Sequence, residues 1–105
     1  MTTVLLYLQT QRKINLMKSE YDELSAYLTD KRKATYFIFT DNHKKMYLSQ
    51  LDPQLFSTEE LQNYYNEFNG SKETEIGKPM MDGIRAIQQS LKNIDESSVV
   101  VFSIG

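Results

Sequence analysis

The sequence predicts a two-layer α+β domain, and three observations carry that expectation. Two short apolar runs, Val4–Leu8 and Val99–Phe102, are too brief for buried helices and read as strands. Residues 35–40 (Thr-Tyr-Phe-Ile-Phe-Thr) are aromatic and β-branched, the composition that suits a pleated, half-buried surface. Residues 57–70 and 79–94 carry apolar stripes at helical spacing behind clear start signals. At 105 residues, with 40% hydrophobic and 25% charged side chains, the chain is expected to build one core, so residues 1–105 are read as a single domain.

Val4–Leu8 does not alternate, which suits a strand buried on both faces at the centre of a sheet. Ile14-Asn15-Leu16 alternates, so residues 9–16 read either as an extension of that strand or as a hairpin arm. Ser19 and Asp22 have capping-box spacing, and Tyr21, Leu24, Tyr27 and Leu28 follow as one apolar stripe of a helix. Lys31, Arg32 and Lys33 then place cations at the negative end of its dipole. After the strand at 35–40, Asp41-Asn42-His43-Lys44 supplies turn residues and Met46-Tyr47-Leu48 reads as the returning hairpin arm, closed by Pro53.

Ser57 and Glu60 form a second capping box, with Phe56 and Leu61 placed for a hydrophobic staple. Leu61, Tyr64, Tyr65 and Phe68 share a face, and Asn69-Gly70 is a natural stop. Residues 71–77 read as a polar loop, and Pro79 fits the first turn of a third helix, whose stripe is Met80, Ile84, Ile87, Leu91 and Ile94. Gly83 within that stripe marks close approach of another element. The expected order is β-α-β-β-α-α-β, a ferredoxin-like antiparallel or mixed sheet with helices packed on it.

Several chemistries are disfavoured by composition. There is no cysteine, so disulfides and thiolate chemistry are absent. His43, the single histidine, falls in the expected turn and is read as a solvated polar residue rather than a relay base or zinc ligand. The four glycines form neither GxGxxG nor GxxxxGK[ST]. A carboxylate pair such as Asp41 and Asp52 is the one enzymatic arrangement left, and nothing in the pattern favours it. The expectation is therefore a binding protein with no catalytic residues, cofactor or metal. No apolar stretch reaches the length that spans a bilayer, and the first residues lack the basic region and cleavage site of a secretory leader, so a cytoplasmic location is expected.

Binding residues are sought in charge and in tyrosine. Residues 1–45 hold eight basic groups against five acidic ones, and residues 46–105 hold four against nine. Such segregation can steer a charged partner. The candidate partner-binding residues are the basic clusters Lys31, Arg32, Lys33 and Lys44, Lys45, together with Tyr64 and the acidic helical positions Glu59, Glu60 and Glu67. Seven tyrosines and no tryptophan supply apolar area with polar tips, which suits an interface or the rim of a small core. The alternative is a small nucleic-acid-binding regulator using the same basic clusters, Lys31, Arg32, Lys33 and Lys44, Lys45, with Tyr36, Phe37 and Phe39 beside Lys33 for stacking. Phe37 and Phe39, however, share a core-facing side, and a pI near 5.3 disfavours phosphate contact.

The run Ile14–Leu24 (INLMKSEYDEL), followed by Tyr36–Phe39 and Met46–Leu51, resembles small uncharacterised proteins of bacterial phages and mobile elements across residues 12–52. The resemblance transfers no functional residue. It implies a phage accessory protein that blocks a host protein or nucleoprotein complex by occlusion, as anti-CRISPR and other anti-defence inhibitors do. A second copy of the chain is the other partner that a tyrosine-bearing face would suit.

Overall fold

The computed structural model describes residues 1–104. Among them the elements run α1 (Thr2–Arg12), α2 (Asp22–Arg32), β1 (Thr35–Phe39), α3 (Asp41–Tyr47), α4 (Thr58–Asn69), α5 (Gly77–Lys92) and β2 (Val100–Ile104), with single 3-10 turns at Leu48–Gln50 and Pro53–Leu55. The class is α+β as expected, but the order is α-α-β-α-α-α-β, and the described sheet is a two-stranded antiparallel pair rather than a ferredoxin-like one.

Two expected strands are helices, each for a local reason. The Val4–Leu8 run lies within α1, where Val4, Leu5, Tyr7 and Leu8 are all buried. An unbroken apolar run signals burial on most sides, and a helix enclosed by its neighbours satisfies that as well as a central strand does. Lys13 ends the helix in the left-handed region (φ 56°), and the Ile14 N–H closes back on the Leu8 carbonyl at 2.9 Å. Ile14 and Leu16 are thereby buried in irregular chain, forming neither a strand extension nor a hairpin arm.

The expected hairpin at 41–48 is helix α3, because Thr40 and His43 form a capping box. The Thr40 hydroxyl accepts the His43 N–H, and His43 Nδ1 accepts the Thr40 N–H at 3.1 Å. The same contacts overturn the solvated reading of His43, which is only 4% exposed.

The core forms where α1 packs against α4 and α5. Leu5, Leu8, Leu61, Ile84, Ile87 and Leu91 are each at most 1% exposed, and Met80 and Ile94 complete the stripe read from sequence. Ser57 caps α4 with its expected box to Glu60, and Gly70 ends it at φ 61°. At Gly83, an added Cβ would stand 3.0 Å from Met1 Cε and 3.3 Å from Val4 Cγ2, so the glycine lets α1 approach α5. At Gly77 an added Cβ would collide with the backbone carbonyl of Thr58, which locks the start of α5 to the start of α4.

β1 and β2 pair with Phe37 opposite Phe102 and Ile38 opposite Val101. Phe37, Phe39, Val100, Phe102 and Ile104 turn toward the core, with Phe39 and Phe102 stacked at 5.0 Å. Val101 is 49% exposed, so the C-terminal apolar run alternates along an outer strand and is not the doubly buried central strand its composition suggested.

Candidate functional site

Helix α2 begins with half of the box its sequence announces. The Ser19 N–H donates to Asp22 Oδ1 at 2.8 Å, and the Ser19 hydroxyl accepts the Tyr21 N–H at 3.0 Å. Two of its hydroxyls bond it to the sheet. Ser25 Oγ donates to the Tyr36 carbonyl, and Thr29 Oγ1 accepts the Tyr36 N–H at 3.1 Å. Ser25 and Thr29 are one turn apart, so one helix face supplies both bonds to β1. Most of the expected stripe is left in solvent: Tyr21, Leu24 and Tyr27 are 41%, 45% and 58% exposed, Leu28 is half-buried, and none of the residues of α2 is fully buried. Lys31 extends over the Tyr27 ring at 5.7 Å, and Arg32 and Lys33 are exposed beside it. The surface thus joins an apolar stripe to a basic end.

A second feature is a cleft of about 550 Å³ between α1 and α4, lined by Tyr7, Gln11, Glu60, Asn63, Tyr64, Glu67 and Phe68. Of its lining residues Glu60 is held by Arg12, which donates to it at 3.0 Å and to the Leu55 carbonyl at 2.9 Å and lies over the Phe56 ring at 4.2 Å. Tyr64 meets Tyr7 edge-on at 5.2 Å and shares a 3.2 Å hydrogen bond with Thr10. The Tyr7 hydroxyl is buried without a well-formed hydrogen bond. Burial, and then the facing Glu60 carboxylate, push its pKa up to about 12. Burial alone would raise Glu60. The Tyr7 hydroxyl, the Ser57 N–H at 3.1 Å and Arg12 outweigh it and hold the carboxyl below its usual range. Glu60 is therefore a paired structural anion, and Glu67 remains exposed at the rim.

The other residues singled out from the sequence have separate destinations. Lys44 donates to the Ile94 and Lys92 carbonyls at 2.7 and 3.2 Å, satisfying the C-terminal end of α5. Lys45 pairs with Asp41 at 2.9 Å and lies 4.0 Å from Glu96, and Asp41 raises its pKa through a hydrogen bond and then through charge. Glu59 is exposed in the first turn of α4. Asp41 and Asp52 do not form a site: Asp41 serves Lys45, and Asp52 caps the turn at Pro53–Leu55 through Gln54 N–H at 2.9 Å.

His43 Nε2 donates to the Lys18 carbonyl at 2.7 Å while Nδ1 accepts from Thr40, so both ring nitrogens are committed. Among the described residues no group of three or more histidine, aspartate or glutamate side chains is arranged to hold a metal, and no helix is long and apolar enough to cross a membrane.

The two halves of the charge segregation meet through Arg12–Glu60 and Lys45–Glu96, which offsets part of it. Among the residues that sequence reasoning placed on apolar faces, the fold leaves Tyr21, Leu24, Tyr27, Phe68, Val99 and Val101 exposed. One signal for α2 was available: Ser25 and Thr29 form a hydroxyl face one turn apart, the face an unpaired strand edge can use. No protein-family model, curated protein or solved structure matches this chain.

Proposed function

We propose that this chain is a non-enzymatic protein-binding module that docks α2 into an apolar groove on its partner. The observation that carries the reading is the exposed stripe of Tyr21, Leu24 and Tyr27 on a helix that buries none of its own residues. Helix-in-groove recognition uses anchors at i, i+3, i+4 and i+7, and Leu24 follows Tyr21 at the helix start, and Tyr27 follows Leu24, at the first of these intervals. Tyrosine and leucine supply the apolar area, and Lys31, Arg32 and Lys33 favour a groove with carboxylates at one end. Scattered exposed apolar residues are ordinary, but a stripe confined to one helix is a continuous contact surface.

A photo-crosslinking amino acid at position 27, introduced in a bacterial host, tests this. The expected result is one discrete adduct, competed away by the unlabelled chain and not by its Leu24→Glu variant. The same label at Gln89, exposed on α5, gives no such adduct. A diffuse smear, or equal adducts from both positions, overturns the reading.

The finer version is suggested by the phage-type resemblance: the partner is a bacterial anti-phage effector, such as a CRISPR nuclease complex, and the chain acts by occlusion. Expression of the chain is then expected to restore plating of a phage that the host's CRISPR system targets. Leu24→Glu is expected to lose that restoration.

A further inference from the structure

The two edges of the sheet are treated differently. On β1, Thr29 and Ser25 of α2 take up the N–H and carbonyl of Tyr36, so both groups point away from β2. Antiparallel pairs alternate between hydrogen-bonded and non-hydrogen-bonded. Tyr36 opposite Ser103 is thus a non-hydrogen-bonded pair, as is Ile38 opposite Val101, and Phe37 opposite Phe102 is a bonded one. It follows that the N–H and carbonyl groups of Val101 and Ser103 point outward from β2. Both residues are exposed, and no hydrogen bond among the described residues reaches that edge.

Strand edges are usually protected by lysine, proline or a bulge. Residues 97–104 contain no charged side chain and no proline. Three adjacent valines give the segment high β-propensity, and β2 has a partner strand on one side alone.

We infer that the outer edge of β2 is an interface for a second copy of this chain, joined antiparallel about a twofold axis at Phe102. In that register Val101 of each copy exchanges backbone hydrogen bonds with Ser103 of the other, and the result is a four-stranded sheet. The two Phe102 residues meet in a non-hydrogen-bonded pair, where side chains lie closest, and extend the Phe39–Phe102 stack across the axis. The occupant is a second copy because an uncharged strand does not repel itself, and because a twofold axis makes each outward donor meet an outward acceptor.

Sedimentation and residue-resolved amide exchange of the full chain, over a range of concentrations up to millimolar, test the inference. The expected result is a monomer–dimer equilibrium in which the Val101 and Ser103 amides become protected as the dimer forms. The Val100, Phe102 and Ile104 amides, paired to β1, stay protected throughout. Val101→Pro, which removes an outward N–H, is expected to abolish the dimer and leave the inner amides protected. Should that variant fail to fold, Val101→Lys combined with Ser103→Lys places like charges opposite one another at two exposed positions and is expected to abolish the dimer as well. A chain that stays monomeric at millimolar concentration, or a dimer that persists in these variants, overturns the inference. So does protection of Val101 and Ser103 that appears only when a different protein is added.

Discussion

Helices α5 and α2 both carry an apolar stripe in sequence, yet α5 buries seven of its residues and α2 buries none. The difference lies in what faces them. α5 meets α1 and α4, two helices whose own apolar sides close over Met80, Ile84 and Ile87. α2 meets β1, whose unpaired edge needs hydrogen bonds more than apolar cover, and it answers with Ser25 and Thr29. An amphipathic pattern states that an apolar face exists. Whether the chain itself covers that face depends on the neighbour. The molecule is thus divided into a helical body built round the buried core, with Phe68 its exposed apolar residue on α4, and a flank of α2, β1 and β2 in which α2 buries none of its residues.

The contrast is broken or sharpened most strongly by truncating the body. Ile84 is fully buried among α1, α4 and α5, and Ile84→Ala is expected to cost about 3 kcal/mol by denaturant unfolding. Gly77→Ala drives a Cβ into the Thr58 carbonyl and is expected to cost at least as much, about 3 kcal/mol, through the forced separation of α4 and α5. A loss below about 1 kcal/mol for both would remove the distinction between body and flank.

The next effect is alkaline. The Tyr7 hydroxyl ordinarily titrates at 10.0 and is raised to about 12 in the folded body. A raised acid binds its proton more tightly in the native state, so this contribution is present in full below pH 10 and is lost as pH rises from there through about 12. The expected alkaline loss is about 2 kcal/mol, and Tyr7→Phe should flatten it. An unchanged alkaline slope in the variant would place the cause elsewhere.

What the sequence made legible follows the same division. α4 and α5 could be read because Ser57, Glu60, Gly70 and the stripe ending at Ile94 are local signals that agree with one another. α1 could not, because its continuous run carries no periodicity and its stop is Lys13, a residue with no special preference for positive φ. α3 was hidden by a capping box that uses histidine at the position where glutamate or glutamine is expected. For the candidate surface, charge identified Lys31, Arg32 and Lys33, which are exposed, and also Lys44, which serves as a helix terminator. Sequence distinguishes those roles poorly, because the carbonyls that capture Lys44 lie 48 and 50 residues away.

The hydroxyl tether gives a smaller and more local effect. Ser25→Ala with Thr29→Val removes both bonds to Tyr36, each worth about 1 kcal/mol, and leaves the body untouched. The expected outcome is faster amide exchange confined to α2, read against unchanged exchange in α5. Faster exchange throughout the molecule would show that the flank and body unfold as one unit.

The smallest effect carries the functional weight. Leu24 is 45% exposed on a helix that buries nothing, so Leu24→Glu should change unfolding stability by no more than about 0.5 kcal/mol. The same change puts a charge in the middle of the stripe and should remove the crosslinked adduct from position 27. A residue that matters for stability and binding together belongs to a core; one that matters for binding alone belongs to a contact surface. If Leu24→Glu destabilises the chain by as much as Ile84→Ala does, α2 is a covered helix in solution and the flank is closed.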